Sequence, residues 1–142
     1  MANSTINNKM TMWTKIWVDD DPTVAPGEFS LNIDLSKYSW LLIGIKISST
    51  ANPGYGKFYE VPIDNTTDPD DTNNPALWTH MYLFGDQFFT SGNTATPYIY
   101  TRKVRAWKTG IDFTNGFRHR TNGTTAANIS DGYCMPIVIY AR

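Results

Sequence analysis

The chain is poor in the residues that most often do chemistry. Of its 142 residues one is cysteine, Cys134, so an internal disulfide is excluded. The two histidines are His80 and His119, and the two glutamates are Glu28 and Glu60. A zinc centre needs more nitrogen and sulfur ligands at suitable spacing than these supply, and nothing places a base beside a Ser or Cys nucleophile. A glycosidase would have to draw mainly on Asp. Formal net charge is −1, so no global basic field points to nucleic acid. No run approaches the roughly 18 apolar residues of a membrane span. The opening MANSTINNKM lacks the apolar centre of a secretory signal, which leads to the expectation of a chain made in a cytoplasm and not inserted in a membrane. No segment carries a capped 3.6-residue apolar repeat, and there is no internal repeat or domain linker.

Short, aromatic-rich runs between breakers are what the chain does have. Aromatics make up 14%, a bias toward strands and contact surfaces. Residues 1–12 read as a polar arm and 13–142 as one domain. Met12 to Val18 has strand composition and stops at Asp19-Asp20-Asp21-Pro22. Phe29, Leu31, Ile33 and Leu35 alternate with polar residues, as on a half-buried strand. After Ser36-Lys37-Tyr38 comes a second alternating run, Leu41 to Ile47, expected to lie antiparallel beside the first. Asn52-Pro53-Gly54-Tyr55-Gly56 breaks the chain, and Lys57 to Ile63 reads as a strand that Pro62 assigns to an edge. Residues 64–76 form a polar loop. Leu77 to Thr90 is one bent strand or two, with Gly85-Asp86 at the break, and Ser91-Gly92-Asn93 is a turn.

Tyr98 to Trp107 should place Tyr98, Tyr100, Arg102, Val104 and Ala106 on one face and Ile99, Thr101, Lys103, Arg105 and Trp107 on the other. Arg102 intrudes on the more apolar face and needs a partner or a wet edge. Gly110 to Phe113 is a short strand, Asn115-Gly116 a hairpin-type turn, and Asn122-Gly123 and Asp131-Gly132 further turns. Tyr133 to Tyr140 closes the chain on its most apolar strand. The pattern as a whole predicts an all-β fold, an antiparallel β-sandwich of jelly-roll type.

Charge is uneven along the chain: residues 1–71 hold ten acids and five bases, residues 72–142 three acids and seven bases. The split fits either two differently charged faces or subunits that attract. Asp19-Asp20-Asp21 and the group Asp68, Asp70, Asp71 match no defined calcium loop and read as solvated loops. Asn3, Asn65, Asn122 and Asn128 begin Asn-x-Ser/Thr triplets, read as unmodified loop residues. Arg102, Arg105, Arg118 and Arg120 could face phosphates or an acidic neighbour, or simply solvent. Trp40, Trp78, Tyr82, Tyr98, Tyr100 and Trp107 could offer flat platforms for sugar rings, although sandwich core is the commoner place for any single Trp. From these groups Trp78, Tyr82, Trp107 and Arg105 are the ligand-binding candidates; no metal ion or cofactor is expected.

Two stretches go beyond composition. MWTKIWVDDDPTVAPGEFSLNIDLSKYSWLLIGIKIS resembles the opening of small β domains in phage tail-fibre and appendage proteins: a Trp-Thr start, an Asp-Pro loop, a Leu-x-Ile-x-Leu-Ser-x-Tyr strand and a Leu-Leu-Ile strand. RKVRAWKTGIDFTNGFRHRT and YCMPIVIYAR resemble the end of such domains, with Ala141 in place of the usual final Gly. Residues 50–95 carry no part of the likeness. The resemblance implies a homotrimeric, non-enzymatic virion protein: a tail-fibre, head-fibre or decoration module. The arm would join other virion proteins, and loops 50–76 and 85–97 would meet host-surface polysaccharide. It also implies that Met135, Ile137 and Ile139 on the closing strand cover a threefold contact, the alternative being a strand buried within one subunit. Two other functions remain open: a purely structural capsid or collar decoration protein, and a small glycan-degrading or deacylating enzyme.

Overall fold

The computed structural model describes residues 12–21, 27–46, 57–88, 95–120 and 134–142. The arm before Met12, the Asn52–Gly56 breaker and the turns at 91–93, 122–123 and 131–132 lie outside them, as do Asn3, Asn122 and Asn128. Among the described residues there is no helix. Those residues form nine strands: β1 Thr14–Val18, β2 Phe29–Asn32, β3 Trp40–Lys46, β4 Lys57–Pro62, β5 Thr79–Phe88, β6 Ala95–Trp107, β7 Gly110–Phe113, β8 Phe117–Arg120 and β9 Met135–Ala141. They form two antiparallel sheets packed as a β-sandwich. The first runs β1-β9-β3-β4 and the second β2-β7-β6-β5, with β8 also paired to β6.

The period-2 patterns explain which side chains meet between the sheets. Leu41, Ile43 and Ile45 of β3, Val61 of β4 and Ile139 of β9 are fully buried against Met81, Val104, Ile111 and Phe113 of the second sheet. Each such side chain contributes about 1.5–3 kcal/mol through burial. Phe29 stacks on Phe113 with ring centroids 4.7 Å apart, which fastens β2 to β7.

Arg102 lies on the core-facing side of β6, as its alternation requires, and is fully buried. Its guanidinium donates to the carbonyls of Gly27 at 2.8 Å and Thr114 at 2.9 Å. Burial pulls its pKa down to about 10, which still leaves it charged at neutral pH. Cys134 is buried too, in a left-handed conformation with φ of 48°, and its thiol donates to the carbonyl of Tyr100 at 2.9 Å. Burial pushes that thiol up to about 12.

The closing strand is central. β9 pairs with β1 on one side and β3 on the other, so both of its hydrogen-bonding edges are satisfied within one chain. Arg142 adds a reciprocal pair with Trp40, N–H to carbonyl at 3.0 and 3.1 Å, which ties the last residue down. Met135 and Ile139 are fully buried by their own chain, and Ile137 sits half-buried beside an irregularity in the register. Neither side chain presents surface to a neighbouring copy in the single chain: Ile139 packs in the core between the sheets, and Met135 is covered on the Lys46 side of the strand, outside that core.

Two local expectations are corrected and a third is resolved between its two alternatives. The runs around Phe29 and Leu41 are not neighbours: β2 and β3 belong to opposite sheets. The Ser36-Lys37-Tyr38 connection crosses between layers, held by Ser36 N–H on the Asp34 carboxylate at 3.0 Å and by Leu35 plunging into the core. Second, of one bent strand or two over residues 77–90, one is present: β5 runs through Gly85-Asp86 in unbroken register with β6. Third, Asn115-Gly116 makes no hairpin. β7 and β8 both pair with β6, at different heights along that 13-residue strand, so the dipeptide carries the chain along β6. Pro62 is, as expected, on an edge strand.

The outer faces of the two sheets differ. On the first sheet the register aligns the row Val18, Val138, Gly44, Phe58, then the row Lys15, Tyr140, Leu42, Glu60, with Trp40 opposite Pro62 below them. That face is mainly apolar, with Phe58, Val18 and Trp40 well exposed. The second sheet turns polar and aromatic side chains outward.

Candidate functional site

The antiparallel register of the second sheet builds one continuous row. Ser30 of β2 lies opposite Asp112 of β7, and Asp112 opposite Arg105 of β6. The β5–β6 register pairs Thr79 with Val104, which brings Trp78, one residue earlier, to Arg105. Residues more than 80 positions apart thus share one line across four strands, all on the solvent side.

Arg105 is the centre of that line. Its Nε and Nη2 reach Oδ2 of Asp112 at 3.0 and 2.8 Å. Its Nη1 reaches Oδ1 of Asp70 at 2.7 Å and the carbonyl of Pro69 at 3.3 Å, which pins the 64–76 loop over the sheet. The guanidinium also lies 4.7 Å from the ring centre of Trp78 and 5.8 Å from that of Trp107. Partial burial disfavours its charge, but the hydrogen bonds to Asp70 and Asp112 prevail and hold its pKa above the ordinary arginine value. On the far side Ser30 donates to Oδ1 of Asp112 at 2.6 Å, so both oxygens of that carboxylate are engaged.

A cleft of about 430 Å³ opens beside this row, lined by Glu28, Ser30, Trp78, Arg105, Asp112 and Thr114 among others. Trp78 is 40% exposed, although it stacks on the arginine. The cleft thus joins an aromatic surface, the hydroxyls of Ser30 and Thr114, and carboxylates on a frame of fixed hydrogen bonds. Such a set suits a ligand with an apolar face and many hydroxyls.

The candidates separate. Trp78 and Arg105 line the cleft. Trp107 stands beside Arg105 but is buried: its ring folds over Gly110, and its indole N–H donates to Thr109 at 2.9 Å. It neither lines the cleft nor offers a platform. Tyr82 lies four residues along β5 from Trp78, roughly 14 Å at strand rise, and belongs to a second cluster. There Tyr59 of β4 accepts from Tyr82 N–H at 3.2 Å and donates to the same residue's carbonyl. This blocks one outward edge position of β5. Lys57 lies 4.7 Å from the Tyr59 ring centre and 5.0 Å from that of Tyr82, and the Tyr59 hydroxyl raises its pKa. Of the other aromatics, Tyr100 is core and Trp40 belongs to the first sheet; the side chain of Tyr98 lies outside those described. Arg118 is half-buried on β8.

Sequence reasoning missed Glu28, Ser30, Asp70, Asp112 and Thr114 as site residues. One signal was present: an acid at the outward position of the short apolar strand Gly110-Ile111-Asp112-Phe113. Among the described residues no group of three or more His, Cys, Asp or Glu is placed to hold a metal ion. No described helix is long and apolar enough to cross a membrane. Comparison with protein-family models, with curated proteins and with solved structures finds no match to this chain.

Proposed function

We propose that this chain is a non-enzymatic structural protein of a bacteriophage virion. In this reading it is a trimeric fibre, head-fibre or decoration module whose second sheet binds host-surface polysaccharide. The two terminal sequence patterns support the virion assignment. A jelly-roll-like sandwich is in keeping with the adjacency of β1 and β9 and with the passage of the chain from sheet to sheet between β1, β2 and β3. The arm at residues 1–12 would attach the module to the particle.

The observation that carries the binding reading is the Ser30, Asp112, Arg105, Trp78 row beside an open cleft. A sugar ring can lay its C–H face on the exposed part of Trp78 and turn hydroxyls toward Glu28 and Ser30. The Arg105 network fixes Trp78, Asp112 and Ser30 beforehand, so little conformational entropy is lost on binding. Repetition on an oligomer and again on a particle turns weak single sites into high avidity. Both oxygens of Asp112 and one of Asp70 are engaged in holding the cleft, which favours binding over turnover.

The test is incubation of the purified protein with host-wall polysaccharide. Retention without released reducing ends or acyl groups is expected. Trp78→Ala should weaken retention roughly tenfold, the equivalent of about 1.4 kcal/mol, with the circular-dichroism spectrum unchanged. Released sugar or acyl products would establish the enzyme instead. Absence of retention would leave a decoration protein, whose removal lowers particle stability and spares adsorption.

A further inference from the structure

The outer face of the first sheet is built unlike a solvated surface. Val138 and Phe58 close over Gly44, where an added Cβ would lie 2.7 Å from Val138 Cγ1 and 2.9 Å from Phe58 Cε1. Phe58 is 54% exposed and Val18 46%, at opposite ends of one row. Next to this apolar row lies one with a cation at one end and an anion at the other: Lys15 on β1 and Glu60 on β4, with Tyr140 and Leu42 between. Both charged residues are exposed, and among the described residues neither takes part in an ion pair. Three strand spacings of about 4.8 Å hold them roughly 14 Å apart, too far to pair within one chain.

We infer that this face is the contact between copies of the chain, with Lys15 of one copy meeting Glu60 of the next. Charges of opposite sign at opposite edges make the face complementary to itself. The β1 edge of one copy approaches the β4 edge of another, and the apolar middle is covered as they join. Depletion of charge at the centre and charge at the rim is how stable interfaces are composed. A face complementary to itself joins two copies about a twofold axis; repeated head to tail, it builds a ring where the rotation between copies closes. The inference gives the proposed oligomer a surface and a pairing rule; it does not depend on what the second sheet binds.

The experiment is sedimentation across a concentration series, with circular dichroism to confirm folding. Lys15→Glu or Glu60→Lys alone should raise the dissociation constant about tenfold or more, since each sets like charges against each other. The double reversal, Lys15→Glu with Glu60→Lys, should recover association to within about threefold. Phe58→Asp should dissociate the assembly without a rescuing partner. An oligomer indifferent to all these changes would overturn this surface and leave the oligomer itself standing. A wild-type monomer would overturn both. An oligomer of two copies with full charge rescue would support the surface and refute the trimer.

Discussion

Arg105 holds the cleft together, and its removal has a cost that can be worked out contact by contact. Arg105→Ala deletes one hydrogen bond and a further ion-pair contact to Asp112, one hydrogen bond to Asp70, one to the Pro69 carbonyl and the stack on Trp78. These are unequal. The Asp112 side chain is 20% exposed and that of Arg105 13%, so their charge-assisted contact is partly shielded and contributes about 1.5–3 kcal/mol. Asp70 is 77% exposed; its shorter bond is solvent-screened and contributes about 0.2–1 kcal/mol. The Trp78 stack adds about 0.5–1 kcal/mol. Arg105→Ala should therefore destabilise the fold by about 2–5 kcal/mol. At a urea slope of about 2 kcal/mol per molar, the unfolding midpoint should fall by roughly 1–2.5 M. Double-mutant cycles then separate the partners: Arg105 with Asp112 should couple at least twice as strongly as Arg105 with Asp70. Equal coupling energies, or a loss below about 1 kcal/mol for Arg105→Ala, would refute the claim that burial, not bond length, ranks these contacts.

Two further changes probe the frame and the core. Gly110→Ala would place a Cβ 2.6 Å from Trp107 Cζ2 and 3.0 Å from the immobile Leu31 carbonyl, so urea unfolding should show a loss of about 1–3 kcal/mol; an unchanged midpoint would mean that the indole is not held against β7. Cys134, with its thiol at about 12 against 9.0 in the open chain, should carry about a thousandfold less thiolate at pH 8 than in denaturant. A thiol reagent should accordingly modify the protein only after unfolding, and rapid labelling of the native chain would place Cys134 at the surface.

Much of the sandwich was legible because strands advertise themselves locally. The alternation around Phe29, Leu41 and Tyr98 identified the core faces before any pairing was known, and Pro62 announced an edge by lacking an N–H. Hairpin expectations failed where adjacency in sequence was taken for adjacency in space: Ser36-Lys37-Tyr38 crosses between sheets, and Asn115-Gly116 moves the chain along β6. The cleft was legible only in part. An exposed aromatic and an arginine could be picked out by type, but whether Trp78 or Trp107 lay open could not. Trp107 is covered because Gly110, three residues on, leaves room for its ring.

By itself the sequence determined the repertoire: strands of period 2, a lone thiol without a partner, no global basic charge, and a closing segment too apolar to be left in water. The tertiary structure alone decided which strands are neighbours. Pairing in an antiparallel sheet depends on contacts between distant segments, and its register sets which side chains line up. That register put Ser30, Asp112, Arg105 and Trp78 in one row, put Lys15 and Glu60 at opposite rims of another, and laid the final strand between β1 and β3.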